Sequence, residues 1–497
     1  MGCDVGTQST KAIVLDDRGA IAGRGARSYP VSHPRPGWAE QDPEAWLTAA
    51  AGAIADAIAD AGQPGARCAA IGFAAQLDGI VAVDAANRPL GPAPIWMDRR
   101  ATAEVAAAAD RIGPDRIRAI SGANADPSHG APKIAWLREH LDATPDGYLL
   151  PAAWIVARLT GRRVVDPANA SCLLLLDVER GGWSAEALAA FGVDERTLGD
   201  LRPATDVAGP LLGEVARAWG VAECPVVVGT GDEHAACVAA GILRPGIIGD
   251  IAGTAEPVAA AADRPVRDPA GLVETHAHVP SGSWLVEHPG FVSAGSVRWL
   301  AEDLLGVAQP EIGRLAADAP AGAGGVGFLP ALGGAMTPRW EPSVLGAFSG
   351  LAAGHDRRHL ARAVLEGCSY AVRDVVERLA ELGLAGDTIR VVGGGARDDT
   401  WLRIKADVTG RRIERLAEPE ATALGAALIA AVGVGWFADL DAASAATLRL
   451  APEVIEPDAA QRARYEDGWA AHRERFDVLA AAGRDSTQLA ALGGRPA

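Results

Sequence analysis

The chain has 497 residues, 49% of them hydrophobic, with 59 glycines and 32 prolines. That length allows two or three domains with full cores, and the composition excludes disorder as the main state. A formal charge of −17 excludes a broad electrostatic hold on nucleic acid or anionic lipid, so any polyanion must be gripped locally.

The first stretch, residues 2–15, reads as a short strand, a polar turn at Gly6-Thr7-Gln8-Ser9-Thr10 and a second strand, a hairpin with a Gly/Thr/Ser tip. Only Met1, Gly2 and Cys3 precede Asp4; if Met1 is the true start rather than a late one, the first strand is expected to be ragged at its beginning. Asp4, Lys11, Asp16 and Asp17 break any apolar region that a secretory signal would need. Residues 43–61 have helical apolar spacing, and residues 68–73 read as a buried strand ending at Gln76-Leu77-Asp78-Gly79. Helices are predicted over 132–160 and a helical or turn-rich piece over 187–200. The apolar run 225–228 then stops at Gly229-Thr230-Gly231-Asp232, before a small-residue helix over 235–241.

Pro245-Gly246 marks the predicted boundary between two units, 1–243 and 244–440, with a charged helical tail over 441–497. The second unit opens as the first does, with a strand from 247 that ends at Gly253-Thr254. A long amphipathic helix over 360–384, a strand over 389–392, a Gly393-Gly394-Gly395-Ala396-Arg397 loop and a helix to about 408 follow. Residues 421–438 are apolar enough to test as a membrane span. Three glycines, much alanine and acidic flanks make this a buried helix instead. The tail is predicted helical over 461–481 and frayed over its last fifteen or so residues. Alternating strands and helices give an α/β class. Six cysteines without a CxxC or zinc-knuckle spacing fit a reducing cytoplasm.

Three glycine-containing turns, each closing a predicted strand, present backbone N–H groups and hydroxyls toward one point. An acidic chain with only three lysines (Lys11, Lys133 and Lys405) can hold phosphate oxygens in that way. Each turn alone is ordinary punctuation; their order, with Asp4 just before the first, is more specific.

That combination resembles the actin-like ATPase fold. Six motifs also follow in the order seen in FGGY carbohydrate kinases, nearest to their xylulokinase branch: residues 37–43 (GWAEQDP), 96–100 (WMDRR), Gly231-Asp232, 293–300 (SAGSVRWL), 337–340 (TPRW) and 393–397. The resemblance covers about residues 2–440. It implies two actin-like, ribonuclease H-like ATPase domains around an interdomain cleft, with ATP and Mg2+ as cofactors. It also implies transfer of the γ-phosphate to a hydroxyl of a neutral sugar, a ketopentose such as xylulose or a related polyol.

The resemblance assigns Asp232 as the catalytic base and Asp4 to the metal, through water. Gly6, Thr7, Gln8 and Ser9, with Lys11 nearby, form the first phosphate site; Gly253 and Thr254 form the second, and Gly393, Gly394, Gly395 and Ala396 the adenosine loop. Gln76, Leu77, Asp78, Trp96 and Glu233 would bind the sugar. Expected partners are the sugar or polyol and ATP, without nucleic acid or membrane; a homodimer is left open.

Two positions depart from the pattern: Leu77-Asp78-Gly79 stands where such chains carry Met-His-Gly, and Glu233 where an amide or small residue is usual. If Asp78 and Glu233 face the sugar beside Asp232, the pocket should repel sugar acids and accept neutral polyhydroxyl compounds, with an amine-bearing sugar as a variant. Read instead as solvated loop carboxylates, they have no such role. His234 reads either as a tuner of Asp232 or as structural, and His276 with His278 as a metal pair lacking a third ligand. Trp38, Trp96 and Trp340 suit ring contacts or core packing. The rival readings are a non-catalytic, chaperone-type actin-like ATPase and a sugar sensor.

Overall fold

The computed structural model describes residues 1–62, 67–341 and 343–484. In the first half a five-stranded sheet is built from β1 (Gly2–Val5), β2 (Ser9–Leu15), β3 (Ile21–Ser28), β4 (Gly72–Ala75) and β5 (Thr230–Gly231). Its order is β5-β4-β1-β2-β3. β1, β2 and β3 form an antiparallel meander, and β4 and β5 join on the other side of β1 in parallel. The second half contains β6 (Ile247–Ile251), β7 (Val258–Ala262), β8 (Glu274–Ala277), β9 (Trp284–His288), β10 (Thr388–Val392) and β11 (Arg412–Arg415). These run in the order β8-β9-β7-β6-β10-β11. The plan repeats: β6, β7 and β9 form the meander, β10 and β11 add in parallel, and β8 is an extra edge strand.

The helices follow from local chemistry. α1 (Pro43–Asp60) starts where the Asp42 carboxylate accepts from the Glu44 N–H and Pro43 fills the first turn. Its buried Trp46, Ala50, Ala53, Ile54 and Ala57 stripe faces β3. The other helices used below are α2 (Gly130–His140), α3 (Asp232–Ala240), α4 (Arg357–Glu381), α5 (Asp399–Thr409), α6 (Ala421–Gly433) and α7 (Ala459–Arg484). One apolar cluster fills the first half from Cys3 to Val228, and a second fills the other half from Ile248 to Tyr465. A third belongs to both, joining Ile13 of β2, α3 and α6.

α6 accounts for that third cluster. Side chains at Gly2 and Gly72 would overlap the α6 carbonyls of Ala423 and Ala426, and one at Gly425 would overlap the Ala235 carbonyl of α3. Three hydrogens thus let a helix from the second half lie directly on the first sheet. Among the described residues no helix is long and apolar enough to cross a membrane. We expect Gly425→Ala to destabilise the protein by about 2–3 kcal/mol, because backbone rather than a movable side chain occupies the space. Denaturant unfolding measures this, and an unchanged midpoint would refute the close packing.

Several boundaries differ from the sequence reading. The strand expected over 68–73 lies at Gly72–Ala75, because pairing of Gly2 with Gly72 sets the register; Ile71 bridges Val226 instead. The helical stretch 132–160 is interrupted by a strand at Gly147–Leu149 that pairs with Val81–Val83. The piece at 187–200 is a short helix, Ala185–Phe191, stopped by Gly192 at φ 66°. β1 is paired from Gly2 onward, and the Met1 ammonium donates to the Ala70 carbonyl at 2.8 Å, so the expected raggedness is absent. The tail is docked rather than loose: Tyr465 and Phe476 of α7 are buried, and Trp469 donates to Asp374 of α4. The predicted frayed end lies outside the described residues. The six cysteines form no disulfide, although the sulfurs of Cys68 and Cys224 are 3.3 Å apart.

Candidate active site

The carboxyl ends of parallel strands gather the groups that the sequence singled out, as expected where such strands open into a crevice. β1 ends at Asp4 and the 6–9 turn, β4 at the 76–79 loop, and β5 at Asp232, the first residue of α3. Gly6 closes the first turn by donating to the Ser9 carbonyl at 3.1 Å. Among the described residues, the N–H groups of Thr7 and Gln8 meet no protein acceptor. The turn is held from behind: Tyr29 donates to the Gly6 carbonyl at 2.5 Å and Gln41 to the Thr7 carbonyl at 2.7 Å. Lys11 sits opposite Asp4 across the hairpin, but its ammonium is committed to Glu420 at 2.7 Å.

In the second half the turns after β6 and β10 lie together. Gly395 donates to the Ala252 carbonyl at 3.0 Å, and side chains at Gly393 and Gly395 would strike Ala252, so both positions require glycine. Gly394 and the Thr254 side chain face solvent, and Gly295 donates to the Thr254 carbonyl. Behind this turn, Lys405 of α5 is fully buried between Asp250, at 2.6 Å, and Glu256. It lies over the Trp401 ring, and this ion cluster ties both sides of the turn to α5.

Asp4 and Asp232 are the central acids. Burial pushes the Asp4 carboxyl up to about 8, the facing Asp232 adds to this and Lys11 opposes it; its Oδ1 has no partner. Burial likewise pushes Asp232 up to about 7, against a bond from the Glu233 N–H to Oδ1 at 2.9 Å. An unpartnered buried carboxylate oxygen beside turns with free amides fits a cation carried with polyphosphate, so the donors present suit Mg2+ and ATP.

The 37–43 and 96–100 motifs brace the first turn and the 76–79 loop. Gln41 Oε1 accepts from Gln76 at 2.7 Å and from Trp46 at 3.2 Å, linking the first turn to the 76–79 loop. Trp96 donates to the Thr7 hydroxyl at 2.9 Å, so its indole touches the first turn. Asp98, fully buried, accepts from the Ala39 N–H and pairs with Arg100, which also reaches Glu40. Arg100 lies 3.6 Å over Trp38, giving that ring a packing role. Leu77 packs against Gly231. Asp78 takes φ 58°, unusual for a residue with a side chain, and Lys133 of α2 donates to its carbonyl at 2.8 Å. Glu233 is buried next to Asp232.

The remaining sequence candidates are Trp340 and three histidines. Trp340 packs near His288. His234 is fully buried with both ring nitrogens unpartnered, and burial holds its pKa well below the usual range. Among the described residues no group of three or more side chains could hold a metal ion through His, Cys, Asp or Glu alone, which removes the His276/His278 pair as a metal centre. His278 bonds the Ile242 carbonyl, and His276 lies between Glu274 and Glu287. His129, Glu274 and Glu287 entered no reading of the sequence, and Lys133 only as one of three lysines, because nothing local marks residues that meet across 50 to 150 positions.

Two meanders with parallel extensions, closed by phosphate-type turns around paired acids, define a two-lobed phosphotransferase of the actin-like class. Residues 1–239 match the FGGY family of carbohydrate kinases, N-terminal domain, and residues 251–434 its C-terminal domain. The chain is 33% identical to the xylulose kinase of Escherichia coli over 87% of its length and 89% of that protein. It is 31% identical to the glycerol kinase of Thermococcus gammatolerans, over 94% of this chain and 96% of that one. The crystal structure of a xylulose-type kinase from Brucella ovis superposes with a TM-score of 0.88 at 30% identity, covering 97% of this chain and 99% of that one. The chain belongs to the FGGY family of carbohydrate kinases. It is an ATP-dependent sugar kinase, and kinases of this family work with Mg2+.

Proposed function

We propose that this kinase phosphorylates a neutral sugar, most readily a ketopentose such as xylulose, and a related polyol less well. The observation that carries the reading is Asp232 at the end of β5, beside Glu233 and near enough to Asp4 for its charge to raise that carboxyl. Xylulose kinases among the relatives support the substrate class. In this reading Asp232 accepts the proton of the attacking hydroxyl, which a carboxyl tuned to about 7 does near neutral pH. Gln76, Leu77, Asp78, Trp96 and Glu233 surround the sugar. Gly6 to Ser9 and Gly253-Thr254 hold phosphates through main-chain N–H groups, and Gly393 to Ala396 receive the adenosine. Asp4 would hold Mg2+ through water; the ion, when bound, neutralises phosphate charge. Closure of residues 1–243 against 244–440 excludes water from the transfer, with the helices beyond 440 as a tail on the second unit, in the cytoplasm.

Three carboxyls around one pocket disfavour an anionic substrate. We expect kcat/KM for D-xylulose to exceed that for xylitol, and D-gluconate to fall at least about tenfold below both. An ATP-consumption assay over these three compounds tests this, and a preference for gluconate would overturn it.

A further inference from the structure

A chain of buried ionisable groups runs from one sugar-facing carboxyl to the other through the opposite half of the molecule. Asp78 Oδ1 lies 3.2 Å from Nδ1 of His129, and Nε2 of His129 faces Glu274 Oε1 at 3.7 Å. Glu274 Oε2 is 3.5 Å from Nε2 of His276, which is 3.4 Å from Glu287 Oε1. Glu287 in turn acts on Glu233, whose carboxyl is pushed up by burial and then by the Glu287 charge. Asp78, His129 and Glu233 come from the first half; Glu274 and His276 stand on β8 and Glu287 on β9. Apart from Asp78, every member is at least nine-tenths buried.

The order is acid, imidazole, acid, imidazole, acid, acid, so each imidazole lies between two carboxyl groups. Burial works against a charge on His129 and on His276, yet the flanking carboxylates outweigh it and hold both pKa values above the usual range. The edge that carries these groups is pinned to the first half. The Asn124 N–H donates to Glu274 Oε1 at 2.8 Å, Trp284 donates to the Val178 carbonyl at 2.8 Å, and the Ser171 hydroxyl lies 3.3 Å from His276 Nδ1. At the other end Asp78 takes φ 58°, and the Lys133 ammonium donates to its carbonyl from α2. Glu233 leaves Oε1 buried with no protein partner.

A protonated imidazole between two carboxylates is fixed in orientation, and fixes its neighbours in return. We propose that the β8–β9 edge sets the sugar pocket of the other half, Glu274 orienting Asp78 through His129, and Glu287, anchored by His276, orienting Glu233. Glu274, His129, His276 and Glu287 are then positioning residues for the sugar. Specificity resides in a pocket that is complete only while the two halves are docked at this edge. The proposal rests on the reading of Asp78 and Glu233 as sugar-facing.

Steady-state kinetics of the full-length enzyme with D-xylulose and MgATP test it. Glu274→Gln keeps the shape but weakens the hold on His129, and should raise the sugar KM about tenfold while the ATP KM stays within about twofold. His129→Asn should do the same, and the double variant should be no worse than the worse single one, because both cut one chain. A purely structural role would instead lower the melting temperature and move both KM values together, or leave both unmoved; either result, or additive effects of the two substitutions, overturns the proposal. If Glu274→Gln does not fold, Glu287→Gln tests the other branch with the same expectation. Asp78→Asn separates the two levels of the argument. If it shifts the sugar KM while the Glu274, His129 and Glu287 variants do not, only the positioning role falls; if Asp78→Asn is itself silent, the sugar-facing reading falls.

Discussion

Replacing Asp232 by alanine should lower phosphoryl transfer by about 10³–10⁴ while leaving the affinity for ATP within about twofold. The geometry separates the two effects. Asp232 is the first residue of α3, its side chain bonded among the described residues only to the N–H of its neighbour Glu233, whereas the turns assigned to the nucleotide follow β1, β6 and β10. The base must be ionised to accept a proton, and burial holds it at about 7. For the wild type, kcat/KM for the sugar should therefore fall as the pH drops below neutrality, with Asp232 as the group that titrates. A coupled assay and calorimetric titration with ATP read the two halves of the prediction. Transfer retained by Asp232→Ala would remove this residue from the mechanism, and lost ATP binding would place it in the nucleotide site instead.

Asp4→Asn should have the opposite sign for stability. Asp4 titrates at about 8 in the folded protein, against about 4 in an unfolded chain. Below the unfolded value it is neutral in both states and makes no difference. As the pH rises from about 4 toward 8, the unfolded chain gives up the proton that the folded one retains, so stability is lost across that window. Asparagine has no proton to lose. The ligand-free Asp4→Asn protein should be more stable than wild type at pH 8 by about 2 kcal/mol or more, with the gap closing toward pH 4–5, and it should be nearly inactive as a kinase. Thermal melts at two pH values decide this. A variant that melts lower than wild type at pH 8 would show that the carboxylate is satisfied in the folded protein rather than held at a cost.

Much of the architecture was legible because it is written locally. Asp42-Pro43 announces α1, the Gly/Thr turns announce the strand ends, and the apolar 421–438 run was read as buried rather than membrane-spanning. Where the reading slipped, a distant partner decided. Gly72 rather than Cys68 begins β4 because β1 sets the ladder, and the 132–160 helices are broken by a strand whose mate lies at Val81–Val83. Lys11, which the resemblance places near the first phosphate turn, pairs with Glu420 from far along the chain, a partner that nothing local announces. The same limit hid the surroundings of Asp78 and Glu233. Their residue types could be read as departures from a family pattern, but His129, Glu274 and Glu287 are brought beside them only by the docking of β8 and β9.

The glycines beneath α6 bind the two halves into a mutual dependence. Gly2, Gly72 and Gly425 leave main chain against main chain, so neither surface has side chains of its own to fill the gap if the other is taken away. A fragment cut after residue 243 would bare the floor of its first sheet and one flank of α3, while its complement would carry an alanine-rich helix with nothing to rest on. The halves resemble one another as if each were a unit, yet they are built to be made, and to fold, as one.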